Sequence, residues 1–221
     1  MLGIPIRQIL LAGTRALGQL AVVAVVISQL GRSGWLAAVF LLLMLAVASW
    51  TAAHRIGDTA VWRAALPIAA GVLPVVGLML VTGVLPLQPL ALAAVVGQLI
   101  GGSMTATNLA GRRLSQELQA RSGEVEAGLA LGLRGRAARS LVARPVAAEA
   151  LLPALDQTRT VGTVTLPGAF VGLVLGGASP LDAGLIQLVV LVSLLAAEAI
   201  AVSVTAHLAE GGVLGRVTTP E

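Results

Sequence analysis

The chain has 221 residues, 57% of them hydrophobic and only 11% charged, where an ordinary soluble domain carries about a quarter charged residues. With a mean hydropathy of +0.96, this composition excludes a water-soluble globular fold and predicts an all-α polytopic membrane protein. The absence of cysteine excludes disulfides and thiolate metal sites, and the fourteen arginines against ten acids behind the pI of 11.4 report orientation in a membrane rather than nucleic-acid binding.

In chain order, the apolar stretches predict a helical bundle of about six spans, near residues 9–31, 34–53, 64–85, 87–110, 148–177 and 183–207, within a single transmembrane domain over 1–221. The first has the length of a span and no small-residue cleavage site after it, so it reads as a retained helix rather than a signal peptide. Seven of the fourteen arginines fall between Arg112 and Arg144, which places a loop of about 112–146 in the cytoplasm. Alternation then puts the 54–63 connection inside, the connections near Gly31, Pro86 and Ser179 outside, and both termini in the cytoplasm of a cell whose membrane the chain crosses repeatedly.

Within the loop, Leu129, Leu133, Ala137 and Leu141 recur every four residues as one apolar stripe, and Arg134, Arg136, Arg139 and Arg144 fall elsewhere around the helix. Gly128, Gly132 and Gly135 would each cost roughly 1 kcal/mol in a helix interior relative to Ala, so they predict a bend between two short helices. Such an element either docks on a protein or lies on anionic headgroups. The fifth span is interrupted by Pro153 and Pro167 and predicts a kink or break. Its Gly168, Gly172 and Gly176 expose a smooth face, for helix packing or for an interface that moves during transport.

Ionisable residues at membrane depth are the candidate path. Asp156 and Arg159 share a helix face, as an internal ion pair or as part of a substrate route. Glu198 has no basic residue one turn away, so it carries a proton, pairs with another span, or faces an aqueous path. Arg15 is either its partner or a side chain snorkelling to the interface. Gln19, Gln98 and Gln187 read as interhelical hydrogen-bonders. Met104 is a soft ligand better matched to cuprous copper than to iron, and His54 and His207 have no chelating spacing, so the residues leave any metal site unknown. A P-loop needs a lysine, and all fourteen residues of the Lys/Arg class here are arginine, so the chain is not its own Walker-type ATPase.

EAGLALG at 126–132, followed by Val142 and Pro145, resembles the EAA loop of ABC transporter permeases. The resemblance implies that Glu126, Ala127, Gly132 and Pro145 belong to short cytoplasmic helices that dock into a separate ATP-hydrolysing subunit. The stretch from Asp156 to Val190 is similar to the FetB-type permeases of the UPF0014 family, through Thr160, Val161, Gly162, Leu166, Pro167, Gly168, Gly172, Gly177, Pro180 and Gln187. The similarity extends back to Gly101, Gly102, Ser103 and Met104, where family members usually have Gly-Asn-Ala-Met. Those members usually begin with one further span, so the resemblance implies seven spans and an external amino terminus in a complete version. It also implies export of iron or a related metal species by two permease copies and two ATP-binding subunits. ATP and Mg then sit on the partner, and this chain, expected to be a permease subunit rather than an enzyme, needs no cofactor. The alternatives are a proton-coupled carrier using Glu198 or Asp156, a permease for a non-metal substrate such as a sugar nucleotide, and a non-transporting scaffold.

Overall fold

A computed structural model describes residues 6–30, 34–57 and 60–214. In chain order the helices there are α1 (Ile6–Leu30), α2 (Gly34–Ile56), α3 (Trp62–Val81), α4 (Pro89–Ala120), α5 (Ser122–Ala130), α6 (Gly135–Glu149), α7 (Leu152–Thr160), α8 (Gly168–Leu175) and α9 (Pro180–Glu210). Five of them, α1 to α4 and α9, are long and apolar enough to cross a bilayer. The protein is therefore an all-helical, multi-pass membrane protein with five continuous crossings among the described residues, not six.

The fifth predicted span, 148–177, is broken into α7, a turn over 161–167, and α8. The first break falls beside Pro153: α6 ends at Glu149 and α7 starts at Leu152, with Pro153 in its first turn, where the missing N–H has no partner anyway. The second comes at Val161, where Gly162 takes φ +79° and Pro167 holds an extended backbone at the start of α8. Thr165 and Val161 form an isolated bridge across the turn. By contrast, α3 stays helical through Pro67 and Pro74, as membrane helices often do. The broken segment nevertheless covers the full height of α9. Ala150 packs with Val202 and Ala206, Gln157 faces Leu194 and Glu198, and Pro167 faces Gly184 and Gln187.

The membrane core joins α2, α3, α4 and α9 through Ala52, Ile68, Leu99 and Ala197, all with no exposed surface. Small residues let the helices approach closely. A Cβ added at Gly71 of α3 would lie 2.4 Å from the carbonyl oxygen of Ala197 in α9. None of the described side chains of α1 is buried, so it stands at the periphery.

α4 runs ten residues past its predicted end. Ala106, Ala110 and Leu114 keep an apolar face turned towards Ala143, Val146 and Ala147 of α6 and Val202, Ala206 and Ala209 of α9, while Arg112 and Arg113 point outward. The arginine-rich stretch thus begins as an extension of α4, up to Ala120, and continues as α5–α6. A single cysteine at Arg136 is expected to react in intact cells only with membrane-permeant reagents, and one at Ser179 with impermeant ones. Labelling of position 136 from outside would reverse the orientation.

Candidate functional site

At the arginine-rich end, α5 and α6 form the predicted bend. Gly132, at φ +86°, closes α5: its N–H donates to Leu129 O at 2.9 Å and the Leu133 N–H to Gly128 O at 3.0 Å, which is the hydrogen-bond pair of a Schellman cap. Gly128 is buried against Ala138, whose Cβ would lie 3.2 Å from an added Cβ. The side chains of α6 that pack are Ala138, Val142, Ala143, Val146 and Ala147. The apolar stripe expected to meet another surface is exposed, with Leu129 at 46%, Leu133 at 40% and Leu141 at 56%. Small residues took the inward face because α6 lies close against α4 and α9, and the leucines were left outside. Glu126, Ala127 and Pro145 are exposed too, Glu126 on the rim of a groove of about 450 Å³ with Ser115, Gln119 and Arg139. Arg121 grips Glu124 through two 2.7 Å hydrogen bonds at the start of α5, which hold that carboxyl below the usual carboxylate range.

Arginines fix α6 to its supports. Arg113 Nη1 of α4 donates to Glu149 at 2.7 Å. Glu210, the last residue of α9, has a side chain 9% exposed, with Arg144 Nε at 3.4 Å and Arg136 Nε at 3.7 Å, while Arg139 Nε donates to its carbonyl at 2.7 Å. The Arg136 guanidinium also touches the His207 ring.

The second candidate site lies inside the bundle. Glu198 is 8% exposed and has neither ion-pair nor hydrogen-bond partner among the described residues, Arg15 included. It lines a cleft of about 390 Å³ between α4, α7 and α9, with Gln98, Gly101, Gly102, Thr105 and Gln157. Gly102 makes room for it, since an added Cβ would fall 2.4 Å from Glu198 Oε1. Counted along the helices at 1.5 Å per residue, Gly102 lies about 15 Å from Arg112 and Glu198 about 18 Å from Glu210, or about halfway through a 30 Å apolar layer. Met104 points the other way, into the α2–α3 core.

Asp156 and Arg159 do pair, at 3.8 Å, but the pair is exposed, at 68% and 72%, rather than buried. At this depth a charge facing lipid costs roughly 2.5–3.5 kcal/mol. Gly168 and Gly172 have open space before them, so the glycine face of α8 packs on nothing among the described residues, and Pro167 lines a cavity of about 240 Å³. Gln187 borders the same cavity, buried, with both amide atoms unpartnered among the described residues. His54 stacks on Trp50, and no group of three His, Asp or Glu side chains gathers among the described residues.

The sequence from residue 3 to residue 212 matches the Uncharacterised protein family (UPF0014). The chain belongs to the UPF0014 family. The UPF0014 membrane protein STAR2 of Oryza sativa subsp. japonica is 33% identical over 206 residues, which cover 91% of this chain and 72% of that protein. Protein ALUMINUM SENSITIVE 3 of Arabidopsis thaliana is 32% identical over 183 residues, covering 80% of this chain and 67% of that one. Probable iron export permease protein FetB of Escherichia coli (strain K12) is 28% identical over 120 residues, 54% of this chain and 46% of that protein. No solved structure matches the chain. In this UPF0014 protein, sequence reasoning missed Glu210. Its signal was there: a carboxylate in the last turn of a helix opposes the macrodipole and needs cations to hold it.

Proposed function

We propose that this chain is the membrane permease subunit of an ABC transporter that exports iron or a related metal species, driven by a separate ATP-binding subunit. The observation that carries the reading is the α5–α6 pair. It presents Glu126, Ala127, Leu131 and Leu133 outward from the arginine-rich end while its other face is fixed to α4 and α9. The resemblance of EAGLALG to the permease loop supports the motor, and the names of two relatives, ALUMINUM SENSITIVE 3 and the probable iron export permease FetB, support the cargo. Two permease copies would pair with two ATP-binding subunits, ATP and Mg residing on the latter. The cleft at Glu198 is then the part of the path that opens to alternate sides.

The test is reconstitution with a candidate soluble ABC ATP-binding subunit from the same cell. Iron-stimulated ATP hydrolysis and iron movement support the reading, and their absence with an intact complex removes it. Glu126→Ala and Gly132→Leu should leave the protein inserted while transport falls at least tenfold. The first removes an exposed charge; the second forces a side chain into φ +86° at the bend. Normal transport with both changes would make the segment a lipid-lying loop. The unpartnered carboxyl of Glu198 favours a second reading, a proton-coupled carrier, which predicts transport that follows a proton gradient without ATP.

A further inference from the structure

We propose that a second copy of this chain covers the broken crossing α7–turn–α8 and the neighbouring face of α4, so that the Glu198 cleft is completed between two copies. Resting on the permease reading, this names the surface by which the copies meet. Three observations place a protein rather than lipid there. Residues 151–180 include no buried position, yet they run the full height of α9. Along that stretch Asp156 and Arg159 are exposed near mid-bilayer, beside exposed Gln157, and across the cleft α4 presents Gln98, Gly101 and Thr105. Apolar helices elsewhere on the molecule, such as α2 with Leu42 and α3 with Leu78, show what a lipid-facing surface in this chain looks like.

The turn adds a backbone argument. Gly162 to Leu166 are all exposed, and among the described residues no backbone N–H reaches the carbonyls of Gly162, Thr163 or Val164. The turn sits against Gly184 to Leu191, well inside the apolar length of α9. Irregular backbone at membrane depth persists only where protein or a water-filled cavity covers it. The charges say which protein. An acid and a base on one face, three residues apart, are self-complementary under a two-fold axis: Asp156 of each copy meets Arg159 of the other. The open glycine face of α8 allows the close backbone approach that such a contact needs.

The chain has no cysteine, so single-cysteine variants report contacts directly. In native membranes, cysteines at Gln98 and Gln157 should be joined between copies by a short bifunctional thiol reagent, and cysteines at Leu42 and Leu78 should not. A second measurement uses two differently tagged copies, one carrying Arg159→Asp and the other Asp156→Arg. Each should lose self-association at least tenfold, and together they should recover it, which an ion pair confined within one chain would not do. Crosslinking at 42 or 78 with none at 98 and 157, capture of a different protein at 98, or a chain that stays monomeric would each overturn the proposal. Crosslinking at 98 and 157 with no ATPase partnership would uphold this interface while removing the transporter reading.

Discussion

Gly71→Ala is expected to destabilise the protein by about 2–3 kcal/mol or more, at or above the upper end of ordinary overpacking. The added methyl group would lie 2.4 Å from the carbonyl oxygen and 3.2 Å from the carbonyl carbon of Ala197, and 3.2 Å from Ser103 Oγ. Backbone atoms cannot rotate away, so α3 and α9 would have to separate and the Ile68–Leu99–Ala197 core with them. Gly102→Ala is the control. Its closest neighbours, Glu198 Oε1 and Leu194 Cδ1, both at 2.4 Å, are the ends of side chains that can turn. Thermal stability in detergent, followed as the fraction of folded protein after heating, should fall sharply for the first variant and modestly for the second. Equal stability of the two would show that the α3–α9 contact yields more easily than its geometry implies.

Glu210→Lys should free α6 from α9. The change puts a further cation beside Arg136 and Arg144, where a carboxylate held them at 3.7 Å and 3.4 Å. Removing one partner of a fully buried pair costs about 3–5 kcal/mol, but Arg136 and Arg144 are 48% and 78% exposed and can turn to water, so screening reduces that part of the loss. Cation–cation repulsion adds to it. Limited trypsin digestion of membranes reads the result directly, because α6 carries Arg136, Arg139 and Arg144. Cleavage there should accelerate at least tenfold in Glu210→Lys and much less in Glu210→Gln, which keeps a hydrogen-bond acceptor. An unchanged digestion pattern would mean that apolar packing alone seats α6.

Class and crossing positions were legible because long apolar runs have few alternatives in a chain this poor in charge. The bend in the arginine-rich segment was legible from its glycines, and Gly132 does take the left-handed conformation that only glycine adopts cheaply. Which face of α6 packs was not. The leucine stripe marked the face left for another surface, whereas close helix approach selected Ala138, Ala143 and Ala147 for the inward one, and sequence periodicity alone does not reveal the interhelical distance that decides this. The break in the fifth predicted crossing was expected at its two prolines and the helices do end beside both, but the turn at Gly162 that precedes Pro167 was not foreseen. Glu198 stood out as an acid in an apolar helix. Its neighbour Gly102 comes from nearly a hundred residues earlier, so the cleft itself could be read only from the fold.

The close contact between Gly71 and Ala197 is placed where a fulcrum for α9 would lie. α9 is unbroken from Pro180 to Glu210, and Ala197 divides it into arms of about 20 Å towards Glu210 and about 26 Å towards Pro180 at 1.5 Å per residue. A tilt of about 10° about that point would carry the Glu210 end about 3 Å one way and the Pro180 end about 4 Å the other. Glu198, next to the pivot, would scarcely move while the walls above and below it swing in opposite senses. On the permease reading proposed above, a rod held in this way would turn a small push on the arginine-rich platform into opening on one side of the bilayer and closing on the other.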